Sequence, residues 1–168
     1  MNTKRRYFLV AGASAATLGL SVLLPSLIRT SQAKTMEKFE VNHTDAEWQR
    51  LLTADQYHIL RHEGTERPYS SALNAEHRSG IFACAACAQR LFSSKTKFDS
   101  HTGWPSFWQP LEQAVSTNTD NSLGIQRVEV HCHRCGGHLG HVFEDGPKPT
   151  GLRYCMNGAA MTFTPSTS

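Results

Sequence analysis

The chain has 168 residues, 39% of them hydrophobic, with 17 Lys and Arg against 14 Asp and Glu. That length suits one domain with a real core. Four of the 17 basic residues, Lys4, Arg5, Arg6 and Arg29, fall in the first 33 residues, which hold no acid; the rest is near neutral and lacks the basic face that nucleic acid or anionic lipid requires.

Residues 1–33 read as an export signal. Lys4-Arg5-Arg6 form a basic start, an apolar run extends from about Phe8 to Leu24, and Ser31-Gln32-Ala33 places small residues where a signal peptidase cuts. The arginine pair followed by Tyr7-Phe8-Leu9 resembles a twin-arginine signal. The run is short for a membrane span and is broken by Gly12, Ser14, Thr17 and Gly19. The expectation is cleavage and a periplasmic or otherwise exported protein that meets the membrane only in transit. A passenger on that route crosses folded, so metal-bound cysteines can survive outside the cell.

Residues 34–43 are polar and read as a linker. Thr44 with Glu47 forms a capping-box pattern, and Trp48, Leu51 and Leu52 follow at helical spacing. A second short helix is expected over 54–61, ended by the Gly and Pro of Gly64-Thr65-Glu66-Arg67-Pro68. From Gly80 onward the texture changes to strand-like runs, at 81–84, 90–92, 125–132, 141–143 and 161–163. The domain is expected over 44–164 and a loose tail over 165–168.

Five cysteines are present. Cys84 and Cys87 form one Cys-x-x-Cys pair, and Cys132 and Cys135 a second. Each follows a strand, and two such turns supply the four thiolates that suit tetrahedral Zn²⁺. The long gap between pairs requires separate hairpins that the metal pins together. His131 and His133, beside the second pair, are expected as exposed strand residues. Cys155 is left over, next to the cation Arg153, which favours the reactive thiolate. Trp104, between Gly103 and Pro105, is either core or the wall of an apolar pocket. His138 and His141 stand three apart in a glycine-rich stretch, as structural residues or as proton donors.

Taken together and in order, several blocks resemble the B-type methionine-R-sulfoxide reductases. They are Gly64-Thr65-Glu66-Arg67-Pro68, the two Cys-x-x-Cys pairs, Lys97-Phe98-Asp99-Ser100 with Gly103-Trp104-Pro105-Ser106-Phe107, His138-Leu139-Gly140-His141-Val142-Phe143, and Arg153-Tyr154-Cys155-Met156-Asn157. The resemblance implies a mainly β fold of two antiparallel sheets packed together (β-tent, Mss4-like), short N-terminal helices and one structural zinc on the four paired cysteines. It implies that Cys155 attacks the sulfur of a methionine R-sulfoxide in an oxidised protein and becomes a sulfenic acid. His141 or His138 would protonate the oxygen, Trp104 and Phe143 would hold the substrate, Arg153 would favour the thiolate, and Asn157 would arrange polar groups. No flavin or nicotinamide is needed. Many family members carry a resolving cysteine where this chain has Thr102, so regeneration is expected from an external thiol, thioredoxin-like or small. Two smaller departures are Gly158, where Ser is common and which is expected to loosen its loop, and Ala88, where Gly is usual. The competing reading is a catalytically silent, zinc-stabilised binding module of the same fold.

Overall fold

In the computed structural model, residues 39–122 and 124–167 are described; the expected export signal and the first residues of the expected linker lie outside them. Two helices come first, α1 (Asp45–Leu51) and α2 (Ala54–His62). Thr44 caps α1 and Glu47 reaches back, its carboxylate accepting from the Thr44 N–H at 2.8 Å. Thr53 and Gln56 repeat that capping box on α2, a signal the sequence reading passed over. Glu63, in the left-handed region at φ 53°, ends α2, and the Gly64 N–H bonds back to the His58 carbonyl. A Cβ on Gly64 would lie 2.5 Å from the His58 ring, so only glycine lets the chain turn this closely past α2.

Nine strands follow among the described residues: β1 (Gly80–Cys84), β2 (Arg90–Ser93), β3 (Lys97–Phe98), β4 (Ser106–Phe107), β5 (Val115–Asp120), β6 (Arg127–Cys132), β7 (His138–Phe143), β8 (Arg153–Met156) and β9 (Met161–Pro165). They make two antiparallel sheets, ordered β2-β1-β9 and β3-β4-β8-β7-β6-β5. This is the mainly β, two-sheet architecture expected. The sheets meet through fully buried aromatics: Phe82 from β1 packs edge-on against Phe107 of β4 at 4.9 Å, and Phe92 of β2 stacks on Phe107 at 4.3 Å. Leu91, Val130, Leu139 and Met156 fill around them. Ile59 and Leu60 of α2, with Trp48 of α1, extend this core. Each such side chain contributes about 1.5–3 kcal/mol by leaving water.

The Cys84–Cys87 pair lies at the β1–β2 turn and the Cys132–Cys135 pair at the β6–β7 turn, one hairpin from each sheet. Ala88 sits in the left-handed region at φ 58°, which explains why glycine suits that position. His131 is 3% exposed, packed edge-on against Phe39, whereas His133 is exposed and bonded to Ser116 Oγ. The expectation of an exposed His131 was therefore wrong: β6 turns that residue inward, under the chain entering at 39–41.

The described part of the expected linker is docked. The Val41 N–H donates to the Arg134 carbonyl at 3.0 Å and Glu40 pairs with Arg134. At the other end β9 runs through Pro165, opposite Gly80, and the Ser166 N–H donates to the Ser79 carbonyl. The start of the expected loose tail thus belongs to the small sheet.

Candidate active site

Cys155 lies in β8, a central strand of the larger sheet. The register sets Ser106 of β4 opposite it on one side and His141 of β7 on the other, and Glu129 of β6 opposite His141. Opposed residues in antiparallel strands share a face. Three strand pairings thus bring a serine, a thiol, an imidazole and a carboxylate into one row across β4, β8, β7 and β6. Gly140 permits the close approach of β7 to β8, since a Cβ there would lie 2.1 Å from the Cys155 carbonyl oxygen.

A cavity of about 140 Å³ opens onto this row. Five of the expected residues line it: Cys155, His141, Trp104, Phe143 and Asn157. Thr65, Arg127 and Gly140 complete it and were not singled out from sequence. Trp104 is a wall of this pocket, half-buried, with its indole Nε1–H donated to the Glu66 carbonyl at 3.2 Å. Larger clefts lie elsewhere, but none of them contains a cysteine.

The two histidines differ. His141 borders the cavity and its Nε2 is 2.8 Å from Asp120 Oδ2. Burial pulls the His141 pKa below the ordinary imidazole value, and the hydrogen bond to Asp120 opposes that shift without cancelling it. Asp120 is itself held well below the usual carboxylate range by hydrogen bonds from Ser122 and His141, and Arg127 binds the same oxygen. His138 is 3% exposed and does not line the cavity. Its Nδ1 meets Glu129 Oε1 at 2.8 Å, its ring lies edge-on to His141 at 5.5 Å, and its Nε2 makes no hydrogen bond among the described residues.

Arg153 does not line the cavity either. Its guanidinium grips Asp145 at 2.8 and 2.7 Å and lies 4.3 Å over the Phe143 ring, with Cys155 among the groups it acts on electrostatically. The bidentate pair fixes both the cation and the pocket's aromatic wall. Asn157 is 3% exposed and its amide is bonded at both ends: Oδ1 accepts from the Glu66 N–H at 2.9 Å and Nδ2 donates to the Leu139 carbonyl at 3.1 Å. The Glu66 carboxylate in turn accepts the N–H groups of Gly158 and Ala159 at 2.6 and 2.8 Å. A Cβ on Gly158 would meet Ser71 Oγ at 2.1 Å, so this glycine marks a tight contact and does not loosen its loop as expected.

Asp120, Glu129, Asp145 and Glu66 were given no role in the site from sequence. One signal was available: buried imidazoles and guanidinium groups call for carboxylates, and Arg127 and Glu129 alternate on one strand. Thr102 sits beside Cys155, its Oγ1 3.7 Å from Sγ, and bonds onward to Ser100 at 2.8 Å, which bonds to Ser106 at 2.7 Å.

The remaining cysteines are apart from this cavity. The sulfurs of Cys84, Cys87, Cys132 and Cys135 lie within 4.8 Å of one another, with Cys84–Cys135 at 3.7 Å and Cys87–Cys132 at 3.5 Å. A tetrahedral Zn²⁺ with ~2.3 Å bonds sets its sulfurs about 3.8 Å apart, whereas a disulfide needs about 2.05 Å. All five thiols are free, and the four clustered ones fit a metal ion.

Residues 52–165 match the family model described as the SelR domain. Among curated proteins, the chain is 52% identical over 130 residues to "Peptide methionine sulfoxide reductase MsrB" of Methanosarcina mazei, covering 77% of this chain and 93% of that one. The protein of the same description from Agrobacterium fabrum is 52% identical over 127 residues, 75% and 94% of the two chains. That from Thiobacillus denitrificans is 54% identical over 123 residues, 73% and 93%.

Proposed function

Because the chain belongs to the SelR-domain family of B-type peptide methionine sulfoxide reductases, which makes it a methionine sulfoxide reductase and an oxidoreductase, we propose that it reduces the R epimer in proteins with Cys155 as nucleophile. The observation that carries this reading is the small cavity in which the one cysteine outside the metal cluster faces His141 and Trp104.

The Cys155 thiolate attacks the sulfoxide sulfur while His141, as imidazolium, gives a proton to the oxygen. His141 is the donor because it borders the cavity; His138, held by Glu129, keeps its neighbour's ring in place. The sulfur–oxygen bond breaks, the oxygen passes to Sγ, and methionine leaves. Methionine is reduced by two electrons and Cys155 is oxidised to a sulfenic acid. Trp104 and Phe143 hold the methyl end of the substrate, and Arg153 supplies positive charge beside Sγ. Asn157 keeps the 64–68 segment against β7.

The sulfenic acid then meets Thr102 where a resolving thiol would be needed. The other four cysteines are committed to one another. An external thiol, from a thioredoxin-like protein or a small molecule, condenses with Cys155–SOH to give water and a mixed disulfide. A second thiol releases reduced Cys155. Cys84, Cys87, Cys132 and Cys135 would hold one Zn²⁺, which supplies folding free energy by pinning the two sheets together. Residues 1–33, outside the described residues, would direct the chain to the periplasm by the twin-arginine route; N-terminal sequencing of exported protein beginning at Met1 would contradict cleavage.

The test is turnover of a dabsylated methionine R-sulfoxide with dithiothreitol. The protein should reduce it, and Cys155→Ser should lower kcat at least about 10³-fold, as expected for loss of a nucleophile. Equal activity in that variant would reject the reading.

A further inference from the structure

The cavity at Cys155 is about 140 Å³, well below the ~300–1,000 Å³ of sites that bury whole ligands. It admits a side chain and leaves the polypeptide bearing it outside. Beside it lies a polar cleft of about 480 Å³ between α2, which contributes Asp55 and His58, and the following segment, which contributes Arg67 and Ser70. Thr65 lines both cavities, so the cleft adjoins the pocket of Cys155.

The partition between them is rigid at its centre. The Glu66 N–H donates to Asn157, its carbonyl accepts from Trp104, and its carboxylate takes two N–H groups of the 158–159 turn. The residues on either side are different. Thr65 and Arg67 are exposed, and among the described residues the N–H and C=O of Thr65 and the N–H of Arg67 make no hydrogen bond. Pro68 keeps Arg67 out of the helical region. Fixed main-chain groups of this kind recognise an extended peptide through its backbone, independently of its sequence. A protein acting on oxidised methionines in varied surroundings needs that kind of contact.

We propose that this cleft binds the extended polypeptide flanking the methionine sulfoxide, with the oxidised side chain passing over Thr65 into the pocket. The proposal rests on the function proposed above.

It is tested with two substrates in the full chain. One is N-acetyl-methionine R-sulfoxide methylamide, which fills only the pocket. The other is a peptide with the sulfoxide at its centre. Ser70→Trp narrows the cleft, and Arg67→Pro removes a main-chain N–H that makes no hydrogen bond among the described residues. In both variants the KM for the peptide should rise roughly three- to tenfold relative to that for the blocked residue, the worth of one or two hydrogen bonds. Turnover of the blocked residue shows that each variant is folded. An unchanged ratio of the two KM values in both variants would overturn the cleft alone. No turnover of either substrate by the unsubstituted protein would instead overturn the function on which it rests.

Discussion

His141 lines the cavity with Cys155, and Thr102 touches its sulfur, so each can be probed by a single substitution. Burial lowers the His141 pKa, so its charged, proton-giving form grows in as pH falls below the ordinary imidazole value of about 6.5. Asp120 favours that charged form. Removing its charge in Asp120→Asn should lower the His141 pKa further, so the histidine-dependent limb of the rate profile should move to lower pH. A limb that moves to higher pH, in kcat measured from pH 5 to 9, would contradict the assignment of His141. Thr102 makes the second case. Its Oγ1 is 3.7 Å from Sγ, so Thr102→Cys should convert the sulfenic acid into an intramolecular disulfide, visible as thiols lost on non-reducing peptide mapping after one turnover. The unsubstituted protein should show no intramolecular disulfide to Cys155.

Turns and strands carry this geometry. Ala88 holds a left-handed conformation that costs roughly 1 kcal/mol for a residue with a Cβ. Ala88→Gly should raise stability by up to about 1 kcal/mol, partly offset by the freer unfolded chain, with kcat unchanged. Gly158→Ser should destabilise by about 1–3 kcal/mol because Ser71 already fills that space, and adding Ser71→Gly should recover most of the loss. Denaturant midpoints would show both effects; additive losses in the double variant would deny the contact. These elements also show what the sequence disclosed. α1 was legible from Thr44 and Glu47, and β6 from its alternation. β8, which carries Cys155, was not foreseen as a strand, because four mixed residues show no period alone and are ordered by β4 and β7 on either side. β5 (VSTNTD) was hidden too, since an edge strand facing water has little hydrophobic signal. Cys155, Trp104 and the histidine pair could be named from motif and order. Their carboxylate partners could not, because Asp120 reaches His141 only through the β5–β6–β7 pairing.

At the scale of the whole molecule, one cluster of four cysteines ties the β1–β2 hairpin of the small sheet to the β6–β7 hairpin of the large one. A zinc ion held by that cluster would make metal binding part of folding. Purified protein should contain close to one zinc per chain, and Cys87→Ser should lose the metal and unfold well below the parent temperature. Metal-free protein with an unchanged Tm would refute that role. The catalytic row depends on the same large sheet, so metal loss should abolish activity together with the cooperative fold, without a separate effect on the chemistry.

If oxygen passes from methionine sulfoxide to Cys155, it can be trapped there. Reduced protein is mixed with excess methionine R-sulfoxide peptide in the absence of any thiol, then digested and analysed by mass spectrometry with dimedone present. One methionine should form per chain, with a dimedone adduct, the mark of a sulfenic acid, on the peptide containing Cys155 and on no other. Methionine formed without modification of Cys155, or an adduct on one of the four clustered cysteines instead, would contradict that transfer.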